Sequence, residues 1–425
     1  MSYYLLFLLF LPIITEIIRK YIVFSSYVFI ISDLFIIFSC IVFFVFKQYK
    51  NSKIYVFLII LYCTIGIFPY FYSDNSLMLI LIGIRPLVVP LCMLFISYNL
   101  FINYNVNKTI YAVLVFWMLI IGLIALLQVI LGKSSFLNYS PSQVGLDLIG
   151  IGDYSYGGEV IKGLFRPTSI FLHTGKFGQI IYMFALAIVT RIACNEKIRI
   201  KHYIIILLSF VFVYVSGQRA AMVLLPISFA LIMFANKKFN LKFTLCLFII
   251  SLSIFLLIPE QYLFFSLKRA FSGITSLDTR FGGALFSFNE IFNSYFFLGE
   301  GIGFFTFGSK IFGGDVLYSV FKNAEQGWLR IYAEVGFFGF VIYIIFIVYA
   351  VFRALNNIIK ISDESIWVSY VSFFSLISFI AWSFTHDIFG NYLTMSYVFM
   401  FIGASEGVRA NYTAINKKII QNINK

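Results

Sequence analysis

The chain has 425 residues, of which 61% are hydrophobic, 20% aromatic and 12% charged, and its mean hydropathy is +0.96. Soluble domains carry about 45–50% apolar and about 25% charged residues, so this composition excludes a soluble enzyme, a disordered chain and a secreted disulfide scaffold. The net charge of +13 calls for no nucleic acid, because the cytoplasmic loops of membrane proteins gather Lys and Arg.

Apolar runs long enough to span a bilayer recur along the chain and are continuous rather than alternating. The expected fold is an all-α polytopic membrane protein of about 12 transmembrane helices with a large outer loop between the ninth and tenth. Candidate spans cover 3–18, 22–46, 54–72, 77–98, 109–131, 170–190, 203–217, 220–235, 243–259, 329–352, 366–384 and 391–408. The first run lacks a basic leader and a small-residue cleavage site, so it reads as a span and not a cleaved signal. Placing the N-terminus inside puts 47–53, 99–108, 191–202, 236–242, 353–365 and 409–425 in the cytoplasm. Most Lys and Arg then lie inside, including Lys47, Lys50, Lys53, Arg191, Lys197, Arg199, Lys201, Lys237 and Lys238. Both termini are expected to be cytoplasmic. Arg19 and Lys20, in the first outer turn, are a local exception to the charge rule.

One integrated membrane domain is expected. Residues 1–131 hold helices one to five and 132–169 a first long outer loop. Residues 170–259 hold helices six to nine, 260–328 the large loop, and 329–425 the last three helices and a tail. Structureless loops this long are uncommon and are often functional. In the second, Ser276 is placed to cap a helix over 278–294, and Gly299, Gly301, Gly303, Gly308, Gly313 and Gly314 mark a turn-rich stretch. Asn323 and Gln326 have the spacing of a capping box before the tenth span. The halves show no internal repeat, which disfavours many transporter folds. Cys40, Cys63, Cys92, Cys194 and Cys246 lie far apart in apolar surroundings and suggest neither a disulfide nor a metal site.

Arg166, Arg219 and Arg280 are cations that the sidedness rule does not explain. Each lies close to an expected helix N-terminus, where free N–H groups and the dipole favour an anion, and a guanidinium adds bidentate phosphate recognition. Together they suggest a pyrophosphate cradle at the outer interface; singly, each also reads as an interfacial anchor. Lys268, Arg269 and Lys310 read as headgroup contacts or solvated charges. Arg85, in Gly83-Ile84-Arg85-Pro86, sits about 12 Å inside the fourth span. A charge there is costly and faces either a buried acid such as Asp33 or a polar cavity. His173 and Lys176, at the start of the middle span, are candidate sugar or phosphate contacts, with an interfacial histidine as the plainer reading. Gln128 reads as a helix–helix hydrogen-bond donor and His386–Asp387 as a solvated pair. The chain has no Walker loop, no His/Cys cluster and no Asp-x-Asp pair, so no metal or other cofactor is expected.

These segments resemble the O-antigen polymerase and O-antigen ligase superfamily of bacterial polysaccharide assembly. The resemblance rests on Phe165-Arg166-Pro167-Thr168-Ser169-Ile170-Phe171 continuing to Gly178, and on Ser216-Gly217-Gln218-Arg219-Ala220-Ala221. It also rests on Arg280 followed by Leu298-Gly299-Glu300-Gly301-Ile302-Gly303-Phe304, and on Trp328-Leu329-Arg330-Ile331-Tyr332-Ala333-Glu334-Val335-Gly336-Phe337-Phe338-Gly339. It covers most of the chain in topology and about residues 160–345 in motif. Ligases of the family carry a His before the last motif, where this chain reads Lys322-Asn323-Ala324-Glu325-Gln326-Gly327, and that favours a polymerase.

The resemblance implies a bacterial inner-membrane enzyme with its active site facing the periplasm. It would transfer a growing O-antigen or capsule glycan from undecaprenyl pyrophosphate to a new lipid-linked repeat unit, without a metal. The implied partners are undecaprenyl-pyrophosphate-linked oligosaccharides, membrane lipid and a chain-length co-polymerase. Arg166, Arg219 and Arg280 would stabilise the departing pyrophosphate, Arg85 would be a deeper contact, and Glu325 would take the acceptor proton. His173, Lys176 and Trp328 would contact substrate. The alternatives are an O-antigen ligase and, outside enzymes, a lipid-linked oligosaccharide flippase or a transporter.

Overall fold

The structure is a computed structural model. It describes residues 2–22, 26–46, 53–71, 77–103, 106–132, 136–138, 159–161, 164–171, 173–194, 199–236, 297–304, 327–362, 364–384 and 391–423. Among these, helices follow the apolar runs: α1 (Ser2–Tyr21), α2 (Ser26–Phe46), α3 (Lys53–Ile67), α4 (Leu77–Asn103) and α5 (Asn107–Leu131). They continue with α6 (Thr174–Cys194), α7 (Ile200–Val215), α8 (Arg219–Ala235), α9 (Gly327–Lys360), α10 (Ile366–Ser383) and α11 (Tyr392–Ile423). The candidate span over 243–259 and the loop helix over 278–294 lie outside the described residues.

Six of these stretches are long and apolar enough to cross a membrane: Lys53–Phe71, Leu79–Ile102, Asn107–Leu131, Thr174–Cys194, Gly327–Lys360 and Ile366–Ser383. The protein is a helical, membrane-embedded chain. Its outward faces agree with that, since Phe57 and Ile60 on α3 and Ile344, Ile345, Val348 and Phe352 on α9 are exposed large apolar side chains.

α6 is the central post, with every residue from Phe177 to Cys194 buried. α5, α7, α8, α10 and α11 pack around it. The most extensive pairing is α4 with α11. Gly403 and Gly407 of α11 make it possible, because a Cβ on Gly403 would stand 2.7 Å from the carbonyl carbon of Leu94. In lipid, helix association depends on such close packing and on interhelical hydrogen bonds.

Two features depart from the expected pattern. A short antiparallel hairpin, β1 (Glu159–Ile161) with β2 (Leu164–Arg166), stands in the first long loop, with Glu159 opposite Arg166 in register. α11 also runs on to Ile423, well past the expected span end and through the expected tail. Hydropathy marks where the bilayer stops, whereas the helix continues until its hydrogen bonding fails, and the polar stretch after Val408 holds no Gly or Pro to break it.

The turn over residues 297–304 is seated on three helices. Glu300 N–H donates to Ala333 O at 2.9 Å, Gly301 N–H to Glu334 O at 2.9 Å, and Ile302 N–H to Gly66 O at 2.8 Å. Tyr70 Oη donates to Ile302 O at 2.8 Å. Gly303 has φ 88° and lies against Gly83 of α4, where any Cβ would collide with backbone. That contact is the local reason for the glycine two residues before Arg85.

Candidate anion-binding site

Helix directions alternate, so the end of α1, the start of α2, the first turns of α4 and α6, the end of α5 and the start of α11 meet at one end of the bundle. This is called the arm end, after residues 164–171 that lie across it. Charged side chains gather there. Arg85 forms an ion pair through Nε with Oδ2 of Asp33 on α2. Lys176, in the first turn of α6, places Nζ 2.9 Å from Oε1 of Glu16 on α1. Both cations stand over the ring of Tyr392 at the start of α11. The Arg85 guanidinium carbon is 4.0 Å and Lys176 Nζ 5.9 Å from the ring centroid. The negative face of an aromatic ring attracts cations, so Tyr392 is a shared floor for two positive charges.

Glu16 is fully buried and Asp33 nearly so. Withdrawing charges from water costs several kcal/mol per ion, and ionisable groups within membrane-spanning structure tend to mark substrate or ion sites. Arg19, one turn beyond Glu16, acts electrostatically on Glu16, His173 and Lys176. His173 is solvent-reached but closely surrounded. Desolvation first, then the charges of Lys176 and Arg19, push its pKa down to about 4, against an opposing pull from Glu16. The imidazole is therefore neutral near pH 7. Arg19, Arg85 and Lys176 thus surround two carboxylates, and the planar guanidinium fork with a lysine point charge is the donor set that recognises a phosphate or pyrophosphate.

The structure brings Arg85, His173 and Lys176 of the expected site together. For Arg166 and Arg219 it gives the backbone. Arg166 ends β2, within the arm. Arg219 opens α8 after Gly217, whose φ is 66°. The turn before Arg219 rests on α6 one half-turn from Lys176, because a Cβ on Gly178 would stand 2.8 Å from Gln218 Cβ. Gln218 Oε1 is buried there without a hydrogen-bond partner among the described residues. Trp328 packs among rings, with centroids 5.6 Å from Phe384 and 6.4 Å from Phe340. Arg280, Glu325, Asn323 and Gln326 lie outside the described residues.

Glu16 and Tyr392 belong to the site, and the residue pattern did not single them out. Each is one polar residue within or beside an apolar run; the available signal was an acid inside a span. Among the described residues no three His, Cys, Asp or Glu side chains group as a metal site. No protein-family model matches the chain, and no curated protein matches it.

Proposed function

We propose that this chain is a membrane glycosyltransferase of the polymerase kind. It moves a growing glycan from a polyprenyl pyrophosphate carrier to a new lipid-linked repeat unit. The observation that carries the reading is the arm end: Arg85 and Lys176 over one tyrosine ring, inside membrane-embedded structure, with Arg19 acting on Lys176 and the turn before Arg219 resting on α6. A lipid-linked pyrophosphate has the matching chemistry, an anionic head at the interface on an apolar tail. The positive-inside reading sets the arm end on the periplasmic face.

In the proposed reaction a hydroxyl of the acceptor sugar attacks the anomeric carbon of the donor. A C–O bond forms as the bond to the pyrophosphate oxygen breaks, and the leaving group departs with its electron pair. Negative charge grows on the pyrophosphate, and preorganised cations stabilise it where other enzymes place a metal. Arg166, Arg219 and Arg280 are assigned to that charge, Arg85 and Lys176 to holding the headgroup, and Glu325 to the hydroxyl proton. The motif resemblance chooses polymerase over ligase, because Lys322–Gly327 contains no histidine.

The test is the surface glycan of a host strain lacking this chain. Collapse of the ladder to a single repeat unit supports a polymerase. Bare core with long glycan still on the carrier indicates a ligase, repeat units trapped on the cytoplasmic leaflet a flippase, and an unchanged ladder removes the reading.

A further inference from the structure

Ser169 is fully buried and has φ 54°, a left-handed conformation that few residues other than glycine adopt. Its polar atoms are bonded on every side. Its N–H donates to Gln128 Oε1 at 2.7 Å, and its hydroxyl to Ile121 O at 2.6 Å. Its carbonyl accepts from Gln128 Nε2 at 3.0 Å, from Tyr21 Oη at 3.3 Å and from Lys20 Nζ. Lys20, itself buried, also donates to Thr168 Oγ1 at 2.8 Å. Gln128 and Tyr21 reach on to Leu137 O at 2.9 and 3.2 Å. The ends of α1 and α5 are thus stitched to one strained residue, and Arg166 lies three residues before it. Strain of this kind persists only where the surroundings over-determine it, and such places cluster at functional sites.

We infer that Gln128, Lys20 and Tyr21 are positioning residues. They clamp Ser169 so that the arm presents the Arg166 backbone to the cationic end of the bundle in one fixed place. This assigns the outer lysine that the charge rule leaves unexplained, and it makes Gln128 more than a link between helices. The inference rests on the proposed transfer reaction, because the arm is held for the sake of that chemistry. Lys20 is committed to the clamp, whereas Arg85 and Lys176 are held by carboxylates and a ring face.

The experiment combines hydrogen–deuterium exchange and glycan-transfer kinetics on the full-length protein in detergent, with a polyprenyl-pyrophosphate-linked repeat unit as substrate. Gln128→Leu keeps the side-chain bulk and removes both bonds to Ser169. Exchange over 168–171 should rise at least about tenfold, and kcat should fall between about tenfold and a hundredfold, the scale of a small misplacement of a catalytic group. KM should change less than about threefold. Gln128→Glu keeps an acceptor for the Ser169 N–H and should recover part of kcat. Tyr21→Phe removes only the two longest bonds, to Ser169 O and Leu137 O, and should act in the same direction by about two- to threefold, which keeps the test open if Gln128→Leu does not fold. Faster exchange in Gln128→Leu with kcat within about twofold of wild type overturns the positioning role, and unchanged exchange overturns the clamp. A wild-type protein with no transfer activity sinks the proposed reaction, while the exchange measurement still reports whether the clamp holds the arm.

Discussion

Arg353 and Glu406 at the far end of the bundle and Arg85 and Lys176 at the arm end are all charges sunk among helices, yet their surroundings differ. Arg353 Nε lies 2.9 Å from Glu406 Oε1, and its Nη2 bonds the other carboxylate oxygen. Asn357 Nδ2 adds bonds of 3.2 Å to Glu406 and 3.0 Å to Ser405, and Arg409 donates to Asn357 Oδ1 at 2.8 Å. Ser369 and Ser405 complete the set at 2.9 Å. That network spends its capacity on itself and ties α9, α10 and α11 together. At the arm end Glu16 engages Lys176 through one oxygen, and its Oε2 has no hydrogen-bond partner among the described residues. The comparison separates a polar network whose groups engage one another fully, which specifies packing, from one whose buried carboxylate is engaged through a single oxygen.

The largest expected effect is at the closed end. Arg353→Met leaves Glu406 buried without its main partner and should destabilise the protein by about 3–5 kcal/mol, read as lost monodisperse protein or a lower Tm in detergent. Adding Glu406→Gln should restore much of the loss. If the single variant were as stable as wild type, the closed end would have no structural role. At the arm end, Lys176→Met or Arg85→Met should lower kcat/KM for glycan transfer by about tenfold to a hundredfold, the scale of losing a charged hydrogen bond to the headgroup they hold. Paired respectively with Glu16→Gln and Asp33→Asn, which neutralise the buried carboxylates left behind, each should lower Tm less than Arg353→Met. The reverse order of stability losses would erase the contrast between the ends.

His173 gives a smaller, pH-dependent effect. Its pKa falls from an ordinary 6.5 to about 4 on folding, so between those values the unfolded chain binds the proton and the folded chain does not. Stability should be flat above about pH 6.5 and decline as pH falls toward about 4. Tm measured against pH for wild type and His173→Gln should diverge only in that window, and parallel curves would contradict the assigned surroundings. Trp328→Phe should matter least. It keeps an aromatic ring against Phe340 and Phe384, and a loss of about 1 kcal/mol in stability with transfer rates within about threefold is expected. A large rise in KM would make Trp328 a sugar contact and not a packing residue alone.

Helices were legible because apolar runs of spanning length leave little choice in lipid: backbone groups must pair within the segment. Helix ends were less so, as α11 shows by continuing to Ile423. The hairpin at 159–166 escaped notice because two strands of three residues are too short to show alternation. In the candidate site, Arg85 with Asp33 was readable as a charge too deep to stand alone. Glu16 was not, because its partner Lys176 is 160 residues away and only the fold joins them. Nothing in Pro167-Thr168-Ser169 announces a left-handed serine, since that backbone is imposed by Gln128 and Lys20 from other helices.

The most direct test is transfer by the purified protein in detergent, without a membrane gradient and with a chelator present, from a polyprenyl-pyrophosphate-linked repeat unit. The account predicts a ladder of longer lipid-linked glycans from wild type and from the Arg353→Met/Glu406→Gln pair. It predicts single repeat units from Arg85→Met and Lys176→Met. No elongation by wild type, or full elongation by both arm-end variants, would contradict it.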